Sequence, residues 1–415
     1  MSIDLLKQTP QGDKRNSTFF EDYRLKIYER RLSLGLDQLI GNLRALIVQV
    51  ETTDGLPYLS ELALMTPYRL IACYISSTHR IFVLASKPAF PRLIVMEPLA
   101  ESYEDEIKQL NMLYPLARRK PNSRYVGEVF HTKDLSCTQE LLERCNIRFN
   151  GPGDCKNSLY SLANLRFSIP SDFNHNRVGY SQMPLEDPDE WELGQPFQLT
   201  GPEEQHLKQQ EALGDSLGIS ELVEGVDHMA TRVLAGERED AILEFLTLSN
   251  YYFWGAYNIA EMNSSTNVTR HPDVTDDKCS PAKVFTANNT PSFVNSFENL
   301  PMPTEDFVRN FGRRMHHIAY EVTDGDYDDE LKNIDAVVTK LRNHGIPFLA
   351  KVIGECGDHP DLKQIFSKHS DYSLLITEYV ERCHGFAGFF TRENVASLTE
   401  AAGRDERYHH GHVFD

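Results

Sequence analysis

A short motif that opens two neighbouring segments of the chain is the feature that most restricts its fold. The run His228-Met229-Ala230-Thr231-Arg232-Val233 superposes on His317-Ile318-Ala319-Tyr320-Glu321-Val322: each has His, an apolar residue, Ala, two variable residues and Val. Both runs have the composition of β-strands, and each precedes a segment with helical spacing. The repeat predicts an internal duplication, with tandem copies of one strand–helix unit in the second half of the chain.

The segments around each motif complete two predicted βαβββ units. The first unit consists of strands at Val226–Val233, Tyr251–Ala260, Ala282–Ala287 and Ser292–Phe297, with a helix at Glu237–Leu248. The second consists of strands at Met315–Val322, Ile346–Ile353, Leu362–Ser367 and Tyr372–Arg382, with a helix at Asp329–His344 that ends at Gly345. A further helix is expected at Glu393–Ala402.

A polar segment rich in Pro, Asp, Glu and Gln separates this half from the N-terminal half, and we expect one short helix in it at Glu203–Leu213. The N-terminal half has strand-like runs at Asn42–Glu51 and Tyr125–Thr132, the latter followed by a helical segment at Leu135–Cys145. Because it lacks a matching pair of histidines, we expect it to be structural. The predicted divisions are an N-terminal domain at 1–182, a connector at 183–221 and a C-terminal metal-binding domain at 222–415. The fold class is α+β, with tandem βαβββ units forming two cupped, barrel-like domains.

Composition narrows the class of partner. The 415 residues carry a formal net charge of −19, which disfavours nucleic acid or an anionic membrane surface as the main partner. No stretch approaches the length of apolar residues that a transmembrane helix needs. Seven cysteines are scattered without a CxxC pair, which indicates neither a disulfide framework nor a thiolate zinc site. We therefore expect a cytoplasmic protein.

Three residues stand out as candidate metal ligands: His228, His317 and Glu378. On a strand, Glu378 shares its face with apolar neighbours, and a carboxylate there must be protonated, paired or bound to a metal. The histidines are each followed two positions later by an alanine, which leaves space on the same face. Two imidazoles and one carboxylate form a facial triad, the donor set of Fe(II) oxygenases, although manganese, nickel or zinc would accept the same donors.

Other readings of these residues compete with the metal site. A strand histidine is more often a hydrogen-bonded structural residue, and His316 is the direct rival of His317. Glu381 is expected on a solvated face. The run His409-His410-Gly411-His412 looks like a chelating cluster, but its terminal position favours adventitious affinity.

Several motifs resemble those of the 4-hydroxyphenylpyruvate dioxygenase family, in the vicinal oxygen chelate superfamily, over about Leu222 to Ala402. The run Leu362-Lys363-Gln364-Ile365-Phe366 resembles the family's "LLQIF" strand, and the segment from Thr377 to Phe386 resembles its "F-E-I-I-Q-R…G-F" segment, whose Glu binds iron. Arg-Met-His-His-Ile-Ala is similar to "G-V-Q-H-I-A", whose His is the second ligand, and Val-Asp-His-Met-Ala to the strand that carries the first.

The resemblance implies a vicinal oxygen chelate fold and an Fe(II) dioxygenase that needs no separate 2-oxoglutarate. Its substrate would be a small 2-oxo acid, which is oxidatively decarboxylated and hydroxylated in the same molecule with O2. His228, His317 and Glu378 would be the catalytic metal ligands, and Gln364 and Phe366 match positions that line the substrate pocket. Phe386 and Asn394, in the late segment, are further candidate substrate contacts, and a homodimer is expected.

Departures from the family fall at substrate-facing positions. The late "G-F-G-x-G-N-F" segment is replaced by Gly385-Phe386-Ala387-Gly388-Phe389-Phe390, with Val395 after Asn394, and the family's Gln before the second ligand is His316. We therefore expect the oxygenase chemistry to be kept while the substrate differs from 4-hydroxyphenylpyruvate. The alternatives are an extradiol dioxygenase, with His316 or His384 as acid–base, a glyoxalase-type isomerase, and a catalytically silent ligand-binding homologue.

Overall fold

Two eight-stranded sheets, one for each half of the chain, form the frame of the molecule. The computed structural model describes residues 9–13, 18–88, 90–151, 157–182, 191–272, 280–291, 302–386 and 388–403. The predicted strand at Ser292–Phe297 and the histidine run at His409–His412 lie outside these residues. No helix within the described ranges is both long enough and apolar enough to cross a bilayer.

The strands and helices follow one another along the chain in the order that the duplication predicts. The strands are β1 (Gln11–Gly12), β2 (Ile40–Gln49), β3 (Arg69–Ile75), β4 (His79–Ala85), β5 (Arg92–Pro98), β6 (Arg124–Thr132), β7 (Leu165–Phe167), β8 (Arg177–Ser181), β9 (Gln195–Pro196), β10 (Val223–Arg232), β11 (Tyr252–Ile259), β12 (Ser264–Arg270), β13 (Ala282–Asn288), β14 (Arg314–Val322), β15 (Asp361–Phe366) and β16 (Ile376–Cys383). The helices are α1 (Thr18–Leu34), α2 (Leu36–Leu39), α3 (Gly55–Met65), α4 (Glu106–Asn111), α5 (Leu135–Glu143), α6 (Gly201–Ser216), α7 (Ile219–Leu222), α8 (Arg238–Leu248), α9 (Pro303–Phe311), α10 (Asn333–Asn343) and α11 (Arg392–Gly403).

The two sheets have the same topology. The N-terminal order is β7-β8-β6-β2-β5-β4-β3-β9, and the C-terminal order, read in the same sense, is β15-β16-β14-β10-β13-β12-β11-β1. In each sheet a βαβββ unit (β2, α3, β3–β5; β10, α8, β11–β13) is joined to a shorter βαββ unit (β6, α5, β7–β8; β14, α10, β15–β16). The predicted α+β class with tandem units is confirmed, and the N-terminal half repeats the same frame.

Two short edge strands and one helix come from outside the predicted repeats. Strand β1, near the start of the chain, pairs with β11 of the C-terminal sheet, and β9, from the connector, pairs with β3. Helix α6 is the helix predicted in the connector; at its start the Thr200 backbone N–H donates to Glu203 Oε2 at 2.8 Å. It packs against α3.

One strand prediction needs correction, and one strand was not predicted. The segment Ile346–Ile353 is not a strand: it forms only isolated bridges, Phe348 with Ser367 and Ile353 with Gln364. Pro347 has no N–H to donate, and Gly354, which ends the segment, has a left-handed φ of 91°. Strand β12 was missed, because its sequence SSTNVTR is polar and lacks a clear alternation of apolar residues.

The two faces of each sheet are buried against different partners. The outer faces pack on helices and on each other, in one large core that includes Leu46, Val48, Met229 and Ile318. The inner face of the N-terminal sheet is filled by a second apolar cluster with Ala45 and Ile47 at its centre and Tyr160, Trp191 and Leu193 over them. Both faces of the central strand β2 are therefore covered, and its residues from Ala45 to Gln49 are all buried.

A buried ion pair joins the two sheets where their outer faces meet. Lys283 Nζ on β13 lies 2.8 Å from Glu128 Oε1 on β6, and both side chains are at most 2% exposed. The hydroxyl of Tyr125 donates to the other oxygen of Glu128 at 2.9 Å. Each charge is therefore paired in a region from which water is excluded.

Lys283→Met is expected to destabilise the protein by about 3–5 kcal/mol, because it leaves the Glu128 carboxylate buried without a cation. The double variant Lys283→Met with Glu128→Leu should lose less, since it removes both charges. Urea unfolding followed by circular dichroism measures both. Glu128→Leu alone completes the comparison: a double variant that loses the sum of the two single-variant losses would contradict a coupled pair.

Candidate metal centre

Strand pairing brings the three candidate ligands together on the inner face of the C-terminal sheet. In the antiparallel pair β10–β14, His228 lies opposite Ala319 and Ala230 lies opposite His317. In the parallel pair β14–β16, Ala319 is the neighbour of Glu378. The two alanines hold the positions between the three larger side chains, so the imidazoles and the carboxylate converge over them.

The donor atoms of the three residues surround one point. His228 Nε2 lies 3.3 Å from His317 Nε2, and each of these nitrogens lies 3.1 Å from Glu378 Oε2. All three side chains are buried. The three residues form one of two groups of potential metal ligands in the described part of the chain.

These distances and the state of Glu378 fit a divalent metal. Ligands about 2.1 Å from a metal and at right angles lie about 3 Å apart, close to the observed separations. Neither oxygen of Glu378 accepts a well-aligned hydrogen bond from the protein, although a buried carboxylate needs a partner. The residues present can therefore hold a metal ion through two imidazole nitrogens and one carboxylate.

Electrostatics within the triad show which protons a metal would displace. Burial disfavours protonation of His228, but the carboxylates of Glu378 and Asp227 outweigh it and raise the pKa of this imidazole to about 9. Burial, together with the charges of His228 and Arg232, lowers the pKa of His317 well below its usual range. Burial raises the pKa of Glu378, and the proximity of His228 opposes that shift. A cation between the three donors replaces the proton that they otherwise share.

A second carboxylate orients the first histidine. Asp227 Oδ1 lies 2.6 Å from His228 Nδ1, so that ring nitrogen donates and Nε2 is free for the metal. Arg382 holds Asp227 in turn with two hydrogen bonds of 2.5 and 3.1 Å. The sequence analysis did not identify Asp227 or Arg382; the Asp-His dipeptide is the only signal, because strand neighbours are expected to point to opposite faces.

A β-bulge explains why His316 and His317 lie on the same side. The β10–β14 register shifts between Ala230, opposite His317, and Thr231, opposite Met315, which leaves His316 as the extra residue. His316 Nδ1 lies 2.7 Å from His317 Nδ1, and the His316 ring packs edge-on against Phe307 and Phe366. Thus His316 orients the second ligand and lies outside the triad.

A cavity opens onto His317 and Glu378 of the triad, with an open volume of about 50 Å³. Its walls are mostly polar near the metal ligands and apolar under helix α11; they comprise Arg232, Thr266, Val284, Thr286, His316, His317, Gln364, Phe366, Glu378, Phe390, Val395, Leu398 and Thr399. Residues from β12 and β15 face each other across it, which shows that the sheet is curled into a cup.

The four candidate substrate contacts separate into two groups. Gln364 and Phe366 line the cavity, and Gln364 Oε1 is buried without a hydrogen-bond partner. Phe386 borders a different cavity, on the side of Asp227 and Arg382. Asn394 donates from Nδ2 to the Leu362 carbonyl at 2.7 Å and ties helix α11 to β15. Phe389 and Phe390, which were not chosen from the sequence, flank the His228 ring.

Glu381 is buried, which corrects the expectation of a solvated face. Its oxygens accept hydrogen bonds from the backbone N–H groups of Gly325 at 3.2 Å and Ile334 at 2.7 Å, at the start of α10. Unpaired N–H groups at a helix start favour a carboxylate at this place. The cysteine expectation is also corrected: Cys356 and Cys383 form a disulfide with Cα atoms 5.9 Å apart.

The corresponding positions of the N-terminal sheet carry no metal donors. A matching bulge at Val126 aligns the two sheets, so Ala45, Gly127 and Gly179 occupy the places of His228, His317 and Glu378 in the shared register. A Cβ atom on Gly179 would lie 2.6 Å from the Phe167 ring, so a larger side chain there meets a packed core.

Glu378→Ala should abolish metal retention while the fold stays intact, because the two imidazoles alone leave a weak site. Metal content after anaerobic iron loading and desalting measures this, with circular dichroism as the test of folding. The matched control is Glu244→Gln, which removes a carboxylate that contacts Ser171 far from the triad. This variant should keep its iron. Unchanged iron content in the Glu378 variant would contradict the assignment.

Asp227→Asn should weaken metal binding by about 10–100-fold, because the His228 ring loses the carboxylate that orients it. Competition with a chelator of known affinity gives the dissociation constant. The control is Glu321→Gln, since Glu321 and Asp227 both border the cavity that Phe386 borders. Equal metal affinity in the Asp227 variant and the unaltered protein would exclude this role.

The comparisons with known proteins concern the fold. No protein-family model and no curated protein sequence matches this chain. A mutant of 4-hydroxymandelate synthase from Streptomyces coelicolor superposes with a TM-score of 0.59 at 15% identity, over 89% of this chain and 99% of that one. A xylose isomerase-like TIM barrel/4-hydroxyphenylpyruvate dioxygenase fusion protein superposes with a TM-score of 0.54 at 12% identity, over 92% of this chain and 58% of that one. With its paired cups and their shared strand order, the chain has the vicinal oxygen chelate fold.

Proposed function

We propose that the protein is a non-haem Fe(II) dioxygenase that oxidatively decarboxylates a small 2-oxo acid, similar to 4-hydroxyphenylpyruvate, and hydroxylates the same molecule. The observation that carries the proposal is the convergence of His228, His317 and Glu378 beside a cavity. The similarity in fold to 4-hydroxymandelate synthase supports it. A cytoplasmic location and a homodimer remain predictions.

The residues around the triad divide the work of such a reaction. Iron supplies the coordination positions and the redox chemistry by which a 2-oxo acid and O2 react. His228, His317 and Glu378 would hold the iron from the side of the sheet, next to the cavity that would take the substrate. Asp227 and Arg382 hold the orientation of His228 and stay outside the cavity described above.

The cavity walls select and orient the substrate. Phe366 and Phe390 provide apolar surface close to the triad, and Val395 and Leu398 of helix α11 cover it from solvent. Gln364 Oε1 is buried without a partner, so it can accept a hydrogen bond from a substrate hydroxyl. Arg232 and His316 make the cavity wall more polar. The resembling family has Gln at the position of His316. These differences favour a substrate other than 4-hydroxyphenylpyruvate itself.

The test is oxygen uptake by the iron-loaded protein with a panel of 2-oxo acids, including 4-hydroxyphenylpyruvate, with release of CO2 measured in parallel. We expect one CO2 for each O2 consumed with at least one member. Gln364→Leu should keep its iron but lower kcat/KM by about 10–100-fold, because a buried polar contact to substrate is lost. Glu378→Ala serves as the inactive control.

The outcomes separate the alternatives. Uptake with catechols and the visible absorbance of a ring-cleaved product, without CO2, would replace the proposal with an extradiol dioxygenase that uses His316, whose side chain lines the cavity. Isomerisation of a thiohemiacetal without O2 would indicate a glyoxalase-type enzyme. Failure to bind a stoichiometric metal would leave a ligand-binding homologue.

A further inference from the structure

Two arginines occupy equivalent places in the two halves of the molecule. Arg124 opens β6 and Arg314 opens β14, each two residues before the bulged residue of its strand. Arg124 is 1% exposed and Arg314 is fully buried. Both lie at the junction between the sheets, away from the triad.

Reciprocal hydrogen bonds show that the two side chains are neighbours. Arg314 Nη2 donates to the carbonyl of Ser123, the residue before Arg124, at 2.9 Å. Arg124 Nη2 donates to the carbonyl of Arg313, the residue before Arg314, and its Nη1 donates to Asn111 Oδ1 at 3.0 Å. Two like charges are therefore held side by side by backbone carbonyls.

Several N–H donors of the pair have no acceptor in the described residues. These are Nε and Nη1 of Arg314 and Nε of Arg124, none of which contacts solvent. Within the described ranges, no carboxylate forms an ion pair with either guanidinium. The contrast with other buried cations is clear, because Arg31 is paired with Asp37, and Lys283 lies 2.8 Å from Glu128.

A buried pair of like charges with unused donors is costly unless something neutralises it. Arginine does not relieve the cost by losing its proton at neutral pH. Burial lowers the pKa of Arg124 to about 10, and burial together with the Arg124 charge lowers that of Arg314 well below its usual range, which reflects the cost of holding both charges here. The pair needs a negative charge that the described protein does not supply.

We propose that a small inorganic anion of halide size binds between Arg124 and Arg314 and joins the two halves of the molecule. A halide ion accepts hydrogen bonds from several N–H donors in different directions, and it has no further polar atoms that need partners. The free nitrogens have no solvent contact, which favours a compact ion over a carboxylate or phosphate ligand. Arg124 also borders a cavity in the N-terminal half, which gives the anion a route to the site; its other charged lining residues, Glu106 and Arg177, are paired with each other.

The first test is a crystal of the unaltered, metal-loaded protein grown with sodium bromide in place of chloride, with data collected at the bromine absorption edge. The expected result is an anomalous peak within hydrogen-bonding distance of the free nitrogens of Arg314 and Arg124. If bromide peaks appear only on the surface, the bromide is an adventitious ion only, and the proposal is overturned. Water or phosphate density between the guanidinium groups would also overturn it.

The second test is thermal unfolding at constant ionic strength, with bromide exchanged against the bulky anion 2-(N-morpholino)ethanesulfonate. Tm should rise by about 1–3 °C for each tenfold increase of bromide above its dissociation constant. Arg124→Gln with Arg314→Gln should abolish the rise, and Arg31→Met, which removes a buried arginine paired with Asp37, should keep it. If the Tm of the unaltered protein does not change with bromide, the site is refuted, whether or not the double variant folds.

Discussion

The antiparallel pairing of β10 with β14 is the constraint on which the candidate metal centre depends. Its register places each histidine opposite an alanine of the other strand, and the parallel addition of β16 then places Glu378 beside the second alanine. Side chains alternate along a strand, so a slip of β14 by one residue would turn His317 to the opposite face, into the core between the sheets and away from His228. The bulge at His316 adds a second imidazole from the same strand, which a regular strand would have pointed away from the cup.

The two halves show how one frame serves two purposes. Strand order, the central antiparallel pair and the bulge are the same in both sheets, yet the N-terminal cup holds Ala45, Gly127 and Gly179 at the ligand positions. Its interior is filled by aromatic and aliphatic side chains, whereas the C-terminal cup keeps a cavity. The difference lies in a few inward-facing residues and not in topology, as expected when function resides in sites built on a common fold.

The sequence predicted the features that depend on periodic apolar runs. Strands β2, β6, β10 and β14, helix α8 and the three ligand residues follow from alternation, helical spacing and the repeated His-x-Ala motif. Strand β12 has no alternation of apolar residues, so the sequence did not predict it. The burial of Glu381 was not predicted either, because its hydrogen-bond partner Ile334 lies at the start of a helix far away in the chain. The disulfide joins residues 27 apart without any local motif, and a bulge is a property of two strands in register, which no single segment encodes.

The arrangement of buried charge around the triad determines which ligands its cavity favours. Glu378 with two neutral imidazoles carries one negative charge, so a divalent cation there leaves a net charge of about +1 facing the cavity. Asp227 would cancel that charge if it stood alone, but Arg382 holds it with two hydrogen bonds and offsets it. The site is therefore electrostatically suited to an anionic chelating ligand, because a negative group that enters a water-poor cavity needs a compensating positive one.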